Sequence, residues 1–194
     1  TNTTLNKNYG DIQVAIDSAL SGNIIQLKKS FTYSTQISIP SGKTINLNSN
    51  GYTITSNSTS SYVISNAGTL TISGTGKIVS TGYSVVNNTG TLNLNSTATI
   101  EGPSTAAKYG ILNTAGTINI AGGKVTSGDG IRLVSGTLAM SSGLVNSKAD
   151  DAIEYVNGKI TLTGGKVTGK YGIWKSGTTT AEDVLTLGTD DSTV

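Results

Sequence analysis

The chain has 194 residues, with 25 Gly, two Pro, 12% charged residues and a net charge of +2. That length suits one domain, and the lack of Cys and His excludes thiolate metal sites, disulfides, Cys nucleophiles and the commonest general base. The Lys residues and the single Arg are scattered, without the basic stripe of a nucleic-acid binder, and no run of about 18 apolar residues could cross a membrane.

Along the chain, Asp11 is placed to cap a helix reaching Leu20. Ile12, Ala15, Ile16, Ala19 and Leu20 would form one face, and Gly22 is its natural stop. Residues 1–22 are thus expected to cover the open end of a sheet. Ile24, Ile25 and Leu27 then begin a first coil, and Ile37 and Ile39 continue it.

From Thr44 onward a three-part unit recurs. Its first element, Thr44-Ile45-Asn46-Leu47, returns at Thr69, Thr91, Thr117, Thr137 and Lys159, in steps of about 20–26 residues, with Val184-Leu185-Thr186-Leu187 as the last copy. Each copy alternates polar and apolar, as a half-buried strand does. The second element includes Tyr52-Thr53-Ile54-Thr55, Lys77-Ile78-Val79, Lys124-Val125-Thr126 and Lys166-Val167-Thr168. The third includes Tyr62-Val63-Ile64-Ser65, Tyr109-Gly110-Ile111, Asp151-Ala152-Ile153 and Tyr171-Gly172-Ile173. Gly68, Gly90, Gly116, Gly136, Gly158 and Gly177 return the chain to the next copy.

Short strands separated by bends leave their backbone groups unpaired within one coil. Ordering a coil of about 22 residues costs roughly 20–40 kcal/mol of backbone entropy, more than its own apolar side chains return. Coils must therefore stack, pairing each strand with its equivalent and filling one continuous core. The expected fold is all-β: a right-handed parallel β-helix of about seven coils, with three short strands per coil and an N-terminal capping helix. Coils would occupy 23–177 and a partial coil 178–194, in a protein expected to continue further. Antiparallel hairpins, the rival arrangement, would need two-residue Asn-Gly or Asp-Gly turns at hairpin intervals. Asn50-Gly51, Asp129-Gly130 and Asn157-Gly158 do not recur that way.

The helix is followed by Asn23-Ile24-Ile25-Gln26-Leu27, then by Ile37 to Ile45, then by Gly51-Tyr52-Thr53-Ile54, with later Gly-Gly-Lys-Val-Thr and Tyr-Gly-Ile segments. This order resembles the pectate-lyase-like β-helix adhesive domains of Gram-positive bacterial surface proteins. The resemblance covers nearly the whole chain and implies an extracellular or cell-wall-attached adhesion module that binds a glycan or a host surface protein. It supplies no binding residues.

Stacking turns sequence columns into surface neighbours. Aligned third elements put Ser65, Val86, Leu112, Arg132, Glu154 and Trp174 in one outward column. Tyr62, Tyr83, Tyr109, Asp129, Asp151 and Tyr171 form the next. Arg132, Asp151, Glu154, Tyr171 and Trp174 are thereby the candidate ligand-binding residues, with the aromatic rings as a platform and the charged groups as polar contacts. The plainer reading is a solubilising face with a stacked Arg132–Glu154 pair worth about 0–1 kcal/mol if exposed. No catalytic set, metal site or cofactor motif is evident.

A polysaccharide lyase would need carboxylates converging on Ca²⁺ and a basic side chain. Asp129, Asp150 and Asp151 could supply the first, and Arg132 or Lys170 the second, although the short inter-strand segments build no walled cleft. A third reading is ice binding through the Thr column at 44, 69, 91, 117 and 137 and its neighbour Asn46, Thr71, Asn93, Asn119 and Ala139. The β propensity of Thr accounts for that lattice without ice.

Overall fold

The computed structural model describes residues 1–178 and 183–188. Every pairing between its strands is parallel. Among the described residues, the antiparallel contacts are the isolated bridges from Asn2 to Ile25 and Lys7. The chain is a parallel β-helix, as its repeats require. The first-element register runs Thr44, Thr69, Thr91, Thr117, Thr137, Lys159, Val184, with each residue directly over its equivalent.

First and second elements share a 12-stranded sheet, and third elements form a seven-stranded one, one strand per coil. Four coils show the expected three separate strands, as in Thr44–Asn48, Thr53–Ser56 and Ile64–Asn66. In the three central coils the first two elements run together as single strands, Thr91–Glu101, Thr117–Ser127 and Thr137–Ser147. The bend between them survives as register slips, between Ser96 and Thr99 and between Ile120, Ala121 and Lys124. Gly122 and Gly123 take φ of 148° and 74° at that bend. Bulged strands can thus turn a corner while much of their pairing persists.

The core is mainly aliphatic. Inward columns such as Ile45, Leu70, Leu92, Ile118, Leu138 and Ile160 are at most 1% exposed. Each such side chain contributes roughly 1.5–3 kcal/mol when fully buried. One polar column also points inward. Asn66 Nδ2 donates to Asn88 Oδ1 at 2.7 Å, and Asn88 Nδ2 to Asn113 Oδ1 at 2.6 Å. Asn113 Nδ2 ends the series on Ser135 O at 2.7 Å. These amides also bond the carbonyls of Thr91, Gly90 and Thr117, so they tie each third element to the start of the next coil.

At the N-terminus the helix is shorter than expected, Ile12–Asp17, with Asp11 accepting from the Gln13 and Val14 amides as its cap. Ile12, Ala15, Ile16 and Ala19 join the core, but Leu20 is 66% exposed because the helix has ended before it. Ile24 also points outward, between the inward Asn23 and Ile25. Lys43 Nζ, from the second coil, donates to Ile16 O and Asp17 O at 2.8 Å each and so ties the second coil to the carbonyl end of the helix, where Ile16 O also accepts from Ala19 N. At the other end, Val184–Leu187 pairs with Lys159–Leu162 and begins a further coil whose Val184, Leu185 and Leu187 are exposed. The rest of the expected partial coil, residues 179–182 and 189–194, lies outside the described residues.

The return glycines pack against one another. An added Cβ would lie 2.1 Å from Gly68 O at Gly90, 2.2 Å from Gly90 O at Gly116, and 2.1 Å from Gly116 O at Gly136. That Gly90 carbonyl is itself held, accepting from Thr117 N at 2.8 Å. Gly116 has φ of 86° as well, so Gly116→Ala should cost about 3 kcal/mol or more. Gly172, where a Cβ meets nothing within 4 Å, is the matched control: Gly172→Ala should stay within about 0.5 kcal/mol. Urea unfolding midpoints of the two variants check this. Equal midpoints would contradict the close packing of the turn column.

Candidate functional site

Third-element strands Tyr109–Asn113, Asp129–Leu133, Asp151–Tyr155 and Tyr171–Lys175 carry the candidate face. Their register aligns Leu112, Arg132, Glu154 and Trp174, and it pairs Tyr109 with Asp129 and Asp151 with Tyr171. Both columns expected from the repeats are formed in these coils. Two earlier positions are corrected: Val86 points into the core and Asn87 holds the outward place between Ser65 and Leu112, and by the same register Ser84, not Tyr83, lies level with Tyr62 and Tyr109. The third element of that coil carries two Asn in succession, and the strand register assigns the second, Asn88, to the inward ladder.

Arg132 is held from two sides. Its Nη1 donates to Tyr109 OH at 2.9 Å, and its guanidinium lies 5.6 Å from the centre of that ring. Its Nε is 3.4 Å from Glu154 Oε2. Glu154 in turn accepts from Ser176 Oγ at 2.9 Å. Trp174 and Tyr171 are about half exposed beside this network. Lys170 Nζ sits 4.9 Å from the centre of the Tyr171 ring and 3.4 Å from Asp150 Oδ1.

The same pattern continues toward the N-terminus, where sequence columns gave only residue types. Lys108 Nζ lies 4.5 Å from the centre of the Tyr83 ring, and Tyr83 meets Tyr62 edge-on at 5.1 Å. Burial, with Tyr83 next in effect, raises the Tyr62 hydroxyl to about 12. Burial likewise raises that of Tyr109, against the pull of Arg132. Both phenols stay neutral at ordinary pH.

The acidic members differ from expectation. Asp151 and Glu154 are buried, at 6% and 8% exposure, so they lie beneath the surface that Arg132, Tyr171 and Trp174 present. Asp129 is equally buried, and its Oδ2 accepts from Ala107 N at 2.7 Å. Among the described residues, no donor reaches the Oδ1 atoms of Asp129 and Asp151. Among the described residues no three acidic side chains come together as a metal site. The convergence of Asp129, Asp150 and Asp151 considered for Ca²⁺ is not formed, and Asp150 pairs with Lys170 instead.

The Thr/Asn lattice is present but turns part of its hydrogen bonding along the stack. Asn93 Nδ2 donates to Thr71 Oγ1, Asn119 Nδ2 to Asn93 Oδ1, and Thr137 Oγ1 to Thr117 Oγ1, at 2.8–3.2 Å. A depression of about 190 Å³ beside Asn119, Ala139 and Thr161 interrupts its flatness. A larger cleft, of about 690 Å³, lies at the N-terminal end, remote in the stack from Arg132 and Trp174. Comparison with protein-family models, curated proteins and solved structures finds no match for this chain.

Burial, joined by repulsion from Asp150, Asp129 and Glu154, raises the Asp151 carboxyl to about 6. The native state therefore holds that proton more tightly than the unfolded chain, whose Asp titrates near 4. The resulting stabilisation is complete below about pH 4 and is lost as pH rises through about 6. Asp151→Asn removes the ionisation, so it should raise the urea midpoint more at pH 7.5 than at pH 4. Equal shifts at both pH values would contradict this electrostatic reading of the buried column.

Proposed function

We propose that this chain is a non-catalytic surface module, extracellular or cell-wall attached, that binds a glycan or a host surface protein through its third-element face. The observation that carries the reading is the exposed Trp174–Tyr171 pair beside a guanidinium already oriented by Tyr109 and Glu154. Aromatic rings provide apolar contact area at low entropic cost, and a fixed Arg adds direction. Such residues dominate binding energy where they cluster. Arg132 sits on a strand paired on both sides, and Tyr171–Lys175, the edge strand of that sheet, pairs with Asp151–Tyr155, so part of the ordering that opposes binding is already complete. Asp151 and Glu154 support the face from below: Glu154 orients Arg132, and Asp151 lies under Tyr171 in the adjoining column.

The test is a glycan array together with immobilised host-matrix proteins. Trp174→Ala and Arg132→Ala should each weaken the binding found there roughly 10-fold or more. Binding that survives both substitutions would move the site elsewhere. Incubation with polygalacturonate and Ca²⁺ tests the competing lyase reading. Release of unsaturated product would replace the adhesion proposal with a catalytic one.

A further inference from the structure

The N-terminal cleft is a second feature that could hold a ligand, independent of the side face. Its base is aliphatic, formed by the buried Ile12, Ala15, Ile25 and Leu27. Its walls carry Tyr9, Phe31 and Tyr33, three of the chain's ten aromatic residues and its only Phe. Phe31 and Tyr33 meet edge to face, 6.2 Å between centres at 83°. All three rings pack against the core while staying partly exposed. The core elsewhere is mainly aliphatic, with single rings such as Tyr52 and Tyr155 packed against it, so a space of about 690 Å³ walled by three aromatic rings is unlike the rest of the column. That volume lies within the range of small-molecule sites.

Charge at the mouth is net positive, two Lys against one Asp. The Oδ1 of Asp11 accepts from the Gln13 and Val14 amides at 2.7 and 3.1 Å, as the helix cap, and from Tyr33 OH at 3.4 Å. Lys28 and Lys29 are exposed on the same lining. Lys28 Nζ donates to Gln26 Oε1 at 3.0 Å, a neutral acceptor that leaves the ammonium charge uncompensated. Neither lysine forms an ion pair among the described residues.

We propose that this cleft binds a small anion with an apolar ring body, such as an aromatic carboxylate or sulfonate. The ring lies among Tyr9, Phe31 and Tyr33, and the acid group faces Lys28 and Lys29. Desolvating a ring against other rings supplies the affinity, while the lysines select for negative charge.

Fluorescence titration of the intact chain with anilinonaphthalene sulfonate, beside the uncharged N-phenylnaphthylamine, tests this. The expected result is one saturable sulfonate site per chain. Lys28→Glu combined with Lys29→Glu should weaken the sulfonate at least tenfold and the neutral probe less than twofold. The matched swap Lys124→Glu with Lys166→Glu, on the side of the coils, should leave both unchanged. Gly10→Trp should reduce both probes, since Gly10 borders the cleft and a Cβ there meets nothing within 4 Å. Phe31→Ala should do the same by removing a wall, with an unchanged circular dichroism spectrum establishing that each variant is folded. Absence of saturable binding, or equal weakening by the two lysine swaps, would overturn the proposal. Either result would leave the side-face reading untouched.

Discussion

The structure depends on parallel stacking in register, which sets each side chain over its counterpart about 4.8 Å away. Nearly every other feature follows from asking what a residue does beside a copy of itself. Aliphatic columns gain, because Ile or Leu over Ile or Leu fills space without strain. The Asn66–Asn88–Asn113 column gains as well, since an amide has both a donor and an acceptor and can hand one to each neighbour. The turn glycines are required because the carbonyl of one coil lies where the next coil's Cβ would be.

Like charges are the residues that stacking penalises. Asp129 and Asp151 occupy equivalent positions, both are buried, and both carboxyl groups are raised by burial and then by repulsion from Asp150 and Glu154, with Asp129 adding to the repulsion at Asp151. The turns that precede the flanking strands relieve that repulsion unevenly. Ala107 N–H serves Asp129, and Lys170 offsets part of the charge near Asp151. The adjoining column avoids the problem by alternating type, from Leu112 through Arg132 and Glu154 to Trp174. A face rich in distinct chemistry arises where the repeat stops repeating, and for that reason the proposed binding residues fall in the later coils. The N-terminal cleft has a related origin: it lies where the cap meets the first coil, outside the regular columns.

The sequence alone determined the architecture and most of the surface columns. Period-2 alternation, recurring glycines and the spacing of Thr69, Thr91, Thr117 and Thr137 leave few ways to satisfy the backbone besides a stacked coil, and Asp11 marked its helix. Those signals are local or strictly periodic, so a linear reading captures them. Tertiary structure alone decided which of Asn87 and Asn88 faces inward, because a one-residue change of register exchanges the two faces of a strand. It also decided that Asp151 and Glu154 are buried, that the central coils merge two strands into one, and that Tyr9, Phe31 and Tyr33 gather around a cleft. Those outcomes depend on how bends and caps close against neighbouring coils, a long-range packing balance that no short stretch of residues encodes.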